Sequence, residues 1–141
     1  MPFNILIVDD STCMRKVLKK TITMCNIGEV TLFEAENGKE AIDVVKKEWI
    51  DLILTDINMP VMDGLSMVKQ LHAEDIIKNL HVIVITSDRH EDTKKKINDC
   101  DVQNIIYKPF RPEELRQILI SVLNLEDNKN DEHSNSEGLD F

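Results

Sequence analysis

The stretch Ile50-Asp51-Leu52-Ile53-Leu54-Thr55-Asp56 decides the fold. After Asp51 it is apolar without alternation, the pattern of a strand covered on both faces. It stops at a carboxylate, and Met59-Pro60 then breaks the chain. Asp56 thus stands where a buried strand emerges into a loop. The same device recurs. Ile5-Leu6-Ile7-Val8 ends in Asp9-Asp10, Val82-Ile83-Val84-Ile85 ends in Thr86-Ser87, and Ile105-Ile106-Tyr107 ends in Lys108-Pro109.

Between these runs the apolar period lengthens to that of helices. Ser11 or Thr12 caps a helix with the stripe Met14, Val17, Leu18, Thr21 and Cys25, and Gly28 closes it. Residues 30–35 make a more polar strand, suited to a sheet edge. Asn37-Gly38 opens a helix with Ala41, Ile42 and Val45 inward, and Asp63-Gly64 opens one with Leu65, Val68 and Leu71 inward. Residues 90–100 form a weak, polar helix whose inner face is Ile97 and Cys100. Pro112 suits a first helical position, followed by Glu113 and Glu114 and the stripe Leu115, Ile118, Leu119, Val122 and Leu123. Five βα units predict an α/β fold: parallel strands, right-handed crossovers and helices on both faces. Such sheets bind ligands at the carboxyl ends of their strands, where all four polar clusters fall.

The chain has 141 residues and a net charge of −9. Residues 126–141 carry six acids against one lysine, −5, which leaves −4 for residues 1–125. We therefore expect one domain over 1–125 and an acidic, disordered tail over 126–141. The acidic balance argues against binding nucleic-acid phosphates or an anionic membrane. Cys13, Cys25 and Cys100 show no metal-binding or CxxC spacing and read as reduced thiols. Neither a signal peptide nor a run of about 20 apolar residues is present, so a cytoplasmic location is expected.

Three carboxylates, Asp9, Asp10 and Asp56, would crowd one sheet edge. A hard divalent cation removes the cost of that crowding, and oxygen-only donors point to Mg²⁺. A carboxylate is a competent nucleophile toward phosphorus. Lys108 offers a point charge for a phosphoryl oxygen, and Thr86, with Ser87 beside it, a hydroxyl.

Four stretches carry a family resemblance: Ile7-Val8-Asp9-Asp10-Ser11 with Met14-Arg15; Asp56-Ile57-Asn58-Met59-Pro60 with Met62-Asp63-Gly64; Thr86-Ser87; and Lys108-Pro109-Phe110. In this order and spacing they resemble the receiver domain of two-component response regulators, most closely its stand-alone chemotaxis members of the CheY kind. The resemblance implies a flavodoxin-like (βα)5 sheet of order 2-1-3-4-5. It implies that Asp56 is the phosphoacceptor, and that Asp10, Asp56 and the backbone carbonyl of Asn58 hold Mg²⁺, with Asp9 acting mainly through water. By the same likeness Lys108 contacts the phosphoryl group, the Lys108–Pro109 bond is cis, Thr86 is the switch hydroxyl, and Asn58 and Asp88 tune dephosphorylation.

One position departs from the pattern. The usual switch aromatic falls on Ile105. Tyr107 lies two residues on and shares its strand face, either as a substitute switch or as an edge aromatic packing on the last helix. The resemblance makes the chain a phospho-switch rather than a metabolic enzyme. Its surface signal would come from the fourth helix, fifth strand and fifth helix, including Lys94, Lys95, Lys96, Ile105, Tyr107 and the outer face of 113–123. The implied partners are a sensor histidine kinase, a flagellar motor switch protein and a phosphatase. Two alternatives stay open. One is a phosphorelay intermediate or phosphate sink exchanging with a histidine phosphotransfer protein. The other is a Mg²⁺-dependent phosphohydrolase, which Asn58 disfavours because such enzymes place an acid there.

Overall fold

A computed structural model describes residues 2–102 and 104–125. The expected acidic tail, 126–141, lies outside the described residues. Strands and helices alternate as β1 (Phe3–Val8), α1 (Thr12–Met24), β2 (Val30–Ala35), α2 (Gly38–Lys47), β3 (Leu52–Thr55), α3 (Gly64–Ala73), β4 (His81–Thr86), α4 (Glu91–Asp99), β5 (Asn104–Tyr107) and α5 (Pro112–Val122). All strand pairs are parallel, in the order β2-β1-β3-β4-β5. The polar second strand is indeed an edge.

Strand alternation sorts the core into two layers. Ile5, Ile7, Leu52, Leu54, Ile83, Ile85 and Ile106 pack with Leu18 and Ile22 of α1 and Leu115 and Leu119 of α5. Leu6, Val8, Ile53 and Val84 face the other way, against Ala41 and Ile42 of α2, Leu65, Val68 and Leu71 of α3, and Ile97 of α4. Leu52, Ile53 and Leu54 are each 0% exposed, so each contributes about 1.5–3 kcal/mol of apolar burial. The short apolar run Leu52–Thr55 is the centre of the sheet.

The helix starts follow local chemistry. Ser11, Asn37 and Asp63 each cap with a side-chain oxygen that accepts from the N–H three residues on. The α1 stripe differs from the sequence reading. Its inner face is Arg15, Leu18 and Ile22, continued by Cys25, while Val17 is exposed and Thr21 turns its hydroxyl onto the Val17 carbonyl. The helix also stops earlier than Gly28: Cys25 caps it and Asn26 takes the left-handed turn at φ 52°.

Candidate functional site

Strand register brings the polar ends together. Val8 pairs with Thr55, Thr55 with Val84, and Thr86 with Tyr107. The ladder continues one residue past the strands. Asp9 N–H donates to the Ala35 carbonyl at 3.1 Å, Asp56 N–H to Val8 at 3.0 Å, and Lys108 N–H to Thr86 at 2.9 Å. Each of these three backbones is therefore fixed by the neighbouring strand.

Their side chains meet. Lys108 Nζ donates to Asp56 Oδ2 at 3.0 Å and to Asp9 Oδ2 at 3.1 Å. The other oxygens are also engaged: Asp56 Oδ1 accepts from Ile57 N–H at 2.6 Å, and Asp9 Oδ1 from Ser11 N–H at 2.9 Å. Asp9 is 2% exposed, whereas Asp56 and Lys108 keep a solvent-facing side at 15% and 17%. Burial pulls the Lys108 pKa down, but the hydrogen bond and charge of Asp56, and then those of Asp9, outweigh it. The net value stands above that of a free lysine.

Asp10, Asn58 and Ser87 are exposed at the same strand ends. Among the described residues no set of three or more acidic, histidine or cysteine side chains gathers to hold a metal ion. The ammonium of Lys108 stands between Asp9 and Asp56 instead. The oxygen donors at this edge, the carboxylates of Asp9, Asp10 and Asp56, are of the kind a hard cation takes.

Thr86 is buried, and its Oγ1 accepts from Asp88 N–H at 3.1 Å. Asp88 is tied into its own loop. Oδ1 accepts from His90 N–H at 3.0 Å and sits 2.7 Å from His90 Nδ1, and Oδ2 accepts from the Thr93 hydroxyl at 2.9 Å. These bonds, His90 N–H first, then the His90 ring and Thr93, lower its pKa to about 2. Asp88 thus ties the loop to the start of α4, where the His90 side chain makes no capping bond. Ile105 is half-buried against the α2–α4 layer. Tyr107, also half-buried, lies with its ring centroid 4.7 Å from the Arg89 guanidinium carbon. The Lys108–Pro109 peptide bond is cis.

Two features shape the loop after Asp56. Gly64 N–H donates to the Ile57 carbonyl at 2.8 Å, and a Cβ on Gly64 would lie 2.2 Å from the Asp56 carbonyl oxygen. Only glycine permits that approach. Val61, exposed, holds φ at 70°, with Met62 N–H closing on the Pro60 carbonyl at 2.7 Å. A β-branched residue in a γ-turn of this hand is strained by about 1–3 kcal/mol.

Arg15 has a role that the sequence pattern alone does not assign. It is 7% exposed; its NH1 donates to the Asp9 carbonyl at 2.5 Å, and its Nε to Glu34 Oε1 at 2.9 Å. It braces the backbone that presents Asp9. The signal was in the helix period, since Arg15, Leu18 and Ile22 share one face. Cys25 and Cys100 are buried; burial, partly offset by Arg116, lifts the Cys25 thiol to about 11, as expected of unreactive thiols.

A doubly wound sheet with paired carboxylates and a lysine at its carboxyl edge defines a class of phospho-switch domains, and comparison with known proteins fixes the family. Residues 5–120 match the response regulator receiver domain, and the chain belongs to that family. It is 38% identical over 120 residues to a chemotaxis protein CheY homolog of Campylobacter jejuni, covering 84% of this chain and 91% of that protein. It is 35% identical over 124 residues to chemotaxis protein CheY1 of Helicobacter pylori, covering 87% and 98%. Among solved structures, the CheX–CheY–BeF3–Mg complex from Borrelia burgdorferi superposes with a TM-score of 0.76 at 32% identity, covering 87% of this chain and 90% of that one. The chain is a CheY-like signalling switch rather than a classical enzyme. No helix among the described residues is long and apolar enough to cross a membrane.

Proposed function

We propose that this receiver accepts a phosphoryl group on Asp56 from a histidine kinase and converts that event into a changed α4–β5–α5 surface that binds a flagellar motor switch protein. The observation that carries the reading is the Lys108 ammonium, held 3.0 Å from Asp56 Oδ2 on a side chain that still reaches solvent. In the transfer an Asp56 oxygen bonds to phosphorus, the phosphorus–nitrogen bond of phosphohistidine breaks, and its electron pair returns to the imidazole. Lys108 is placed to pair with a phosphoryl oxygen. Thr86, on the adjacent strand end, supplies the hydroxyl that follows the new charge.

Asp10, Asp56 and the Asn58 carbonyl would hold Mg²⁺, with Asp9 acting through water. The ion would supply positive charge to the phosphoryl oxygens. Oxygen-only donors support this, as does the Mg-containing complex of the Borrelia CheY. The chemotaxis role is supported by the names of the Campylobacter and Helicobacter relatives. A kinase partner, a motor target and a cytoplasmic location follow from that reading. Ile105, packed where a mobile ring would be needed, favours the relay or phosphate-sink role as a second reading.

Incubation with Mg²⁺ and a small phosphodonor should add one phosphoryl group to the protein and none to Asp56→Asn. Undiminished labelling of that variant would sink the assignment. Retention of motor switch protein by the phosphorylated form would favour the motor reading. Retention of a histidine phosphotransfer protein alone would favour the relay.

A further inference from the structure

We propose that Arg89, stacked on the ring of Tyr107, carries the position of Thr86 to the outer edge of β5, in place of a moving aromatic at position 105. The proposal rests on Asp56 being the phosphoacceptor and names the reporter of that event.

The connections are short. Thr86 ends β4, and its register partner on β5 is Tyr107. The same Thr86 accepts, at Oγ1, the N–H of Asp88. Arg89 follows directly and lays its guanidinium over the Tyr107 ring. Among the described residues the ring of Tyr107 is the one partner of the Arg89 side chain. Asp88 fastens the segment onward to His90 and Thr93, so residues 88–93 move with the start of α4.

A phosphoryl group on Asp56 offers the Thr86 hydroxyl a stronger, charged acceptor. Rotation of Thr86 toward it removes the acceptor of Asp88 N–H. The loop is then free to shift, and Arg89 leaves the ring of Tyr107. Ile105 cannot report this step, since it is packed in the sheet layer next to Val84. Tyr107 can, because it sits on the edge strand, is half-buried, and carries the Arg89 guanidinium over its ring.

Coupling between sites is reciprocal. If the Arg89–Tyr107 contact belongs to the resting arrangement, removing it must favour the phosphorylated one. A cation–π contact at such a site is worth about 0.5–1 kcal/mol, a roughly 2- to 5-fold change in an equilibrium constant.

Tyr107 is the sole tyrosine of the chain, so protein grown with 3-fluorotyrosine gives one ¹⁹F resonance. Mg²⁺ with beryllofluoride, a mimic of the acyl phosphate, should shift it in the wild type. Arg89→Ala should bind beryllofluoride roughly 2- to 5-fold more tightly, and Arg89→Lys, which keeps a cation over the ring, should return toward wild type. Tyr107→Leu should show the same gain, and Arg89→Ala should add nothing to it. Phosphodonor labelling of Asp56 is followed by mass in parallel. A labelled protein whose resonance stays fixed, or Arg89→Ala and Arg89→Lys affinities equal to wild type, would overturn the inference and leave the phosphoacceptor intact. Absence of both labelling and beryllofluoride binding would overturn the phosphoacceptor reading, and this inference with it.

Discussion

Gly64→Ala tests whether the first turn of α3 is seated on the backbone of Asp56. The added Cβ would stand 2.2 Å from the Asp56 carbonyl oxygen and 3.2 Å from the Asp56 carbonyl carbon and the Ile57 Cα. All three neighbours are backbone atoms, so no rotamer change relieves the clash. The helix start and the end of β3 must separate by about 1 Å to reach ordinary contact distance. Overpacking of that kind costs about 1–3 kcal/mol, and loosening the Gly64 N–H bond to the Ile57 carbonyl adds about 1 kcal/mol. The expected loss is about 2–4 kcal/mol. With a urea slope of about 2 kcal/mol/M, the midpoint falls by roughly 1–2 M at unchanged slope. Because Asp56 itself moves, phosphodonor labelling of the folded variant should slow by about 10- to 100-fold. Gly28→Ala is the control: its φ is 109° but nothing lies within 4 Å of the new Cβ, so only a backbone cost of about 1–2 kcal/mol and no labelling defect are expected. A Gly64→Ala protein within about 0.5 kcal/mol of wild type, labelling at the normal rate, would refute the close-approach reasoning.

Lys108→Met strips the cation from Asp9 and Asp56 and should cost about 3 kcal/mol, because Asp9 is left buried with its charge unpaired. The folded-state pKa of Lys108 is raised above 10.5, so this advantage is fully present below that pH and is lost as pH rises through the folded value. Urea midpoints of the two proteins should differ equally at pH 7 and 9 and converge at strongly alkaline pH; a gap that widens there contradicts the pairing. Asp88→Asn probes the α4 clamp from the acid side. The Asp88 pKa is lowered from 3.8 to about 2, so its contribution is complete above about pH 4 and fades as pH falls through 2. The stability difference between wild type and Asp88→Asn should shrink between pH 5 and pH 2.5, and a constant difference would rule out the clamp.

What the sequence disclosed depended on whether period or register carried the information. Leu52–Thr55 is apolar on both faces because it lies between two core layers, and that pattern is local. The carboxylates and the lysine at the strand ends were legible for the same reason, since parallel strands put their carboxyl ends on one edge. The buried face of α1 departs from its apolar stripe because apolar character and burial part company there. Arg15 is inside because Glu34, 19 residues away on β2, and the Asp9 carbonyl satisfy it; Val17, an apolar residue, is outside. The Asp88 clamp and the Arg89–Tyr107 stack escaped for a related reason. Each depends on how a short loop folds back on α4 or across to β5, and no spacing in the sequence encodes that.

The two halves of the site differ in stiffness, and this bears on how it can switch. Asp9, Asp56 and Lys108 are held by three inter-strand N–H bonds beyond the strand ends and by core on both faces of the sheet. Moving them means opening the sheet. The segment after Thr86 is held to the rest of the molecule by far less. Release of that segment breaks the Asp88 N–H bond to Thr86 and the Arg89 contact with Tyr107, together about 1–3 kcal/mol. The bonds of Asp88 to His90 and Thr93 travel with the loop and need not break. Converting a two-state equilibrium from 1:99 to 99:1 takes about 5.5 kcal/mol, within reach of a new dianionic group meeting a hydroxyl and an ammonium in a half-buried cleft. On the proposed reading, a rigid acceptor beside a lightly fastened reporter lets one covalent event displace the loop while the sheet that positions the chemistry stays still.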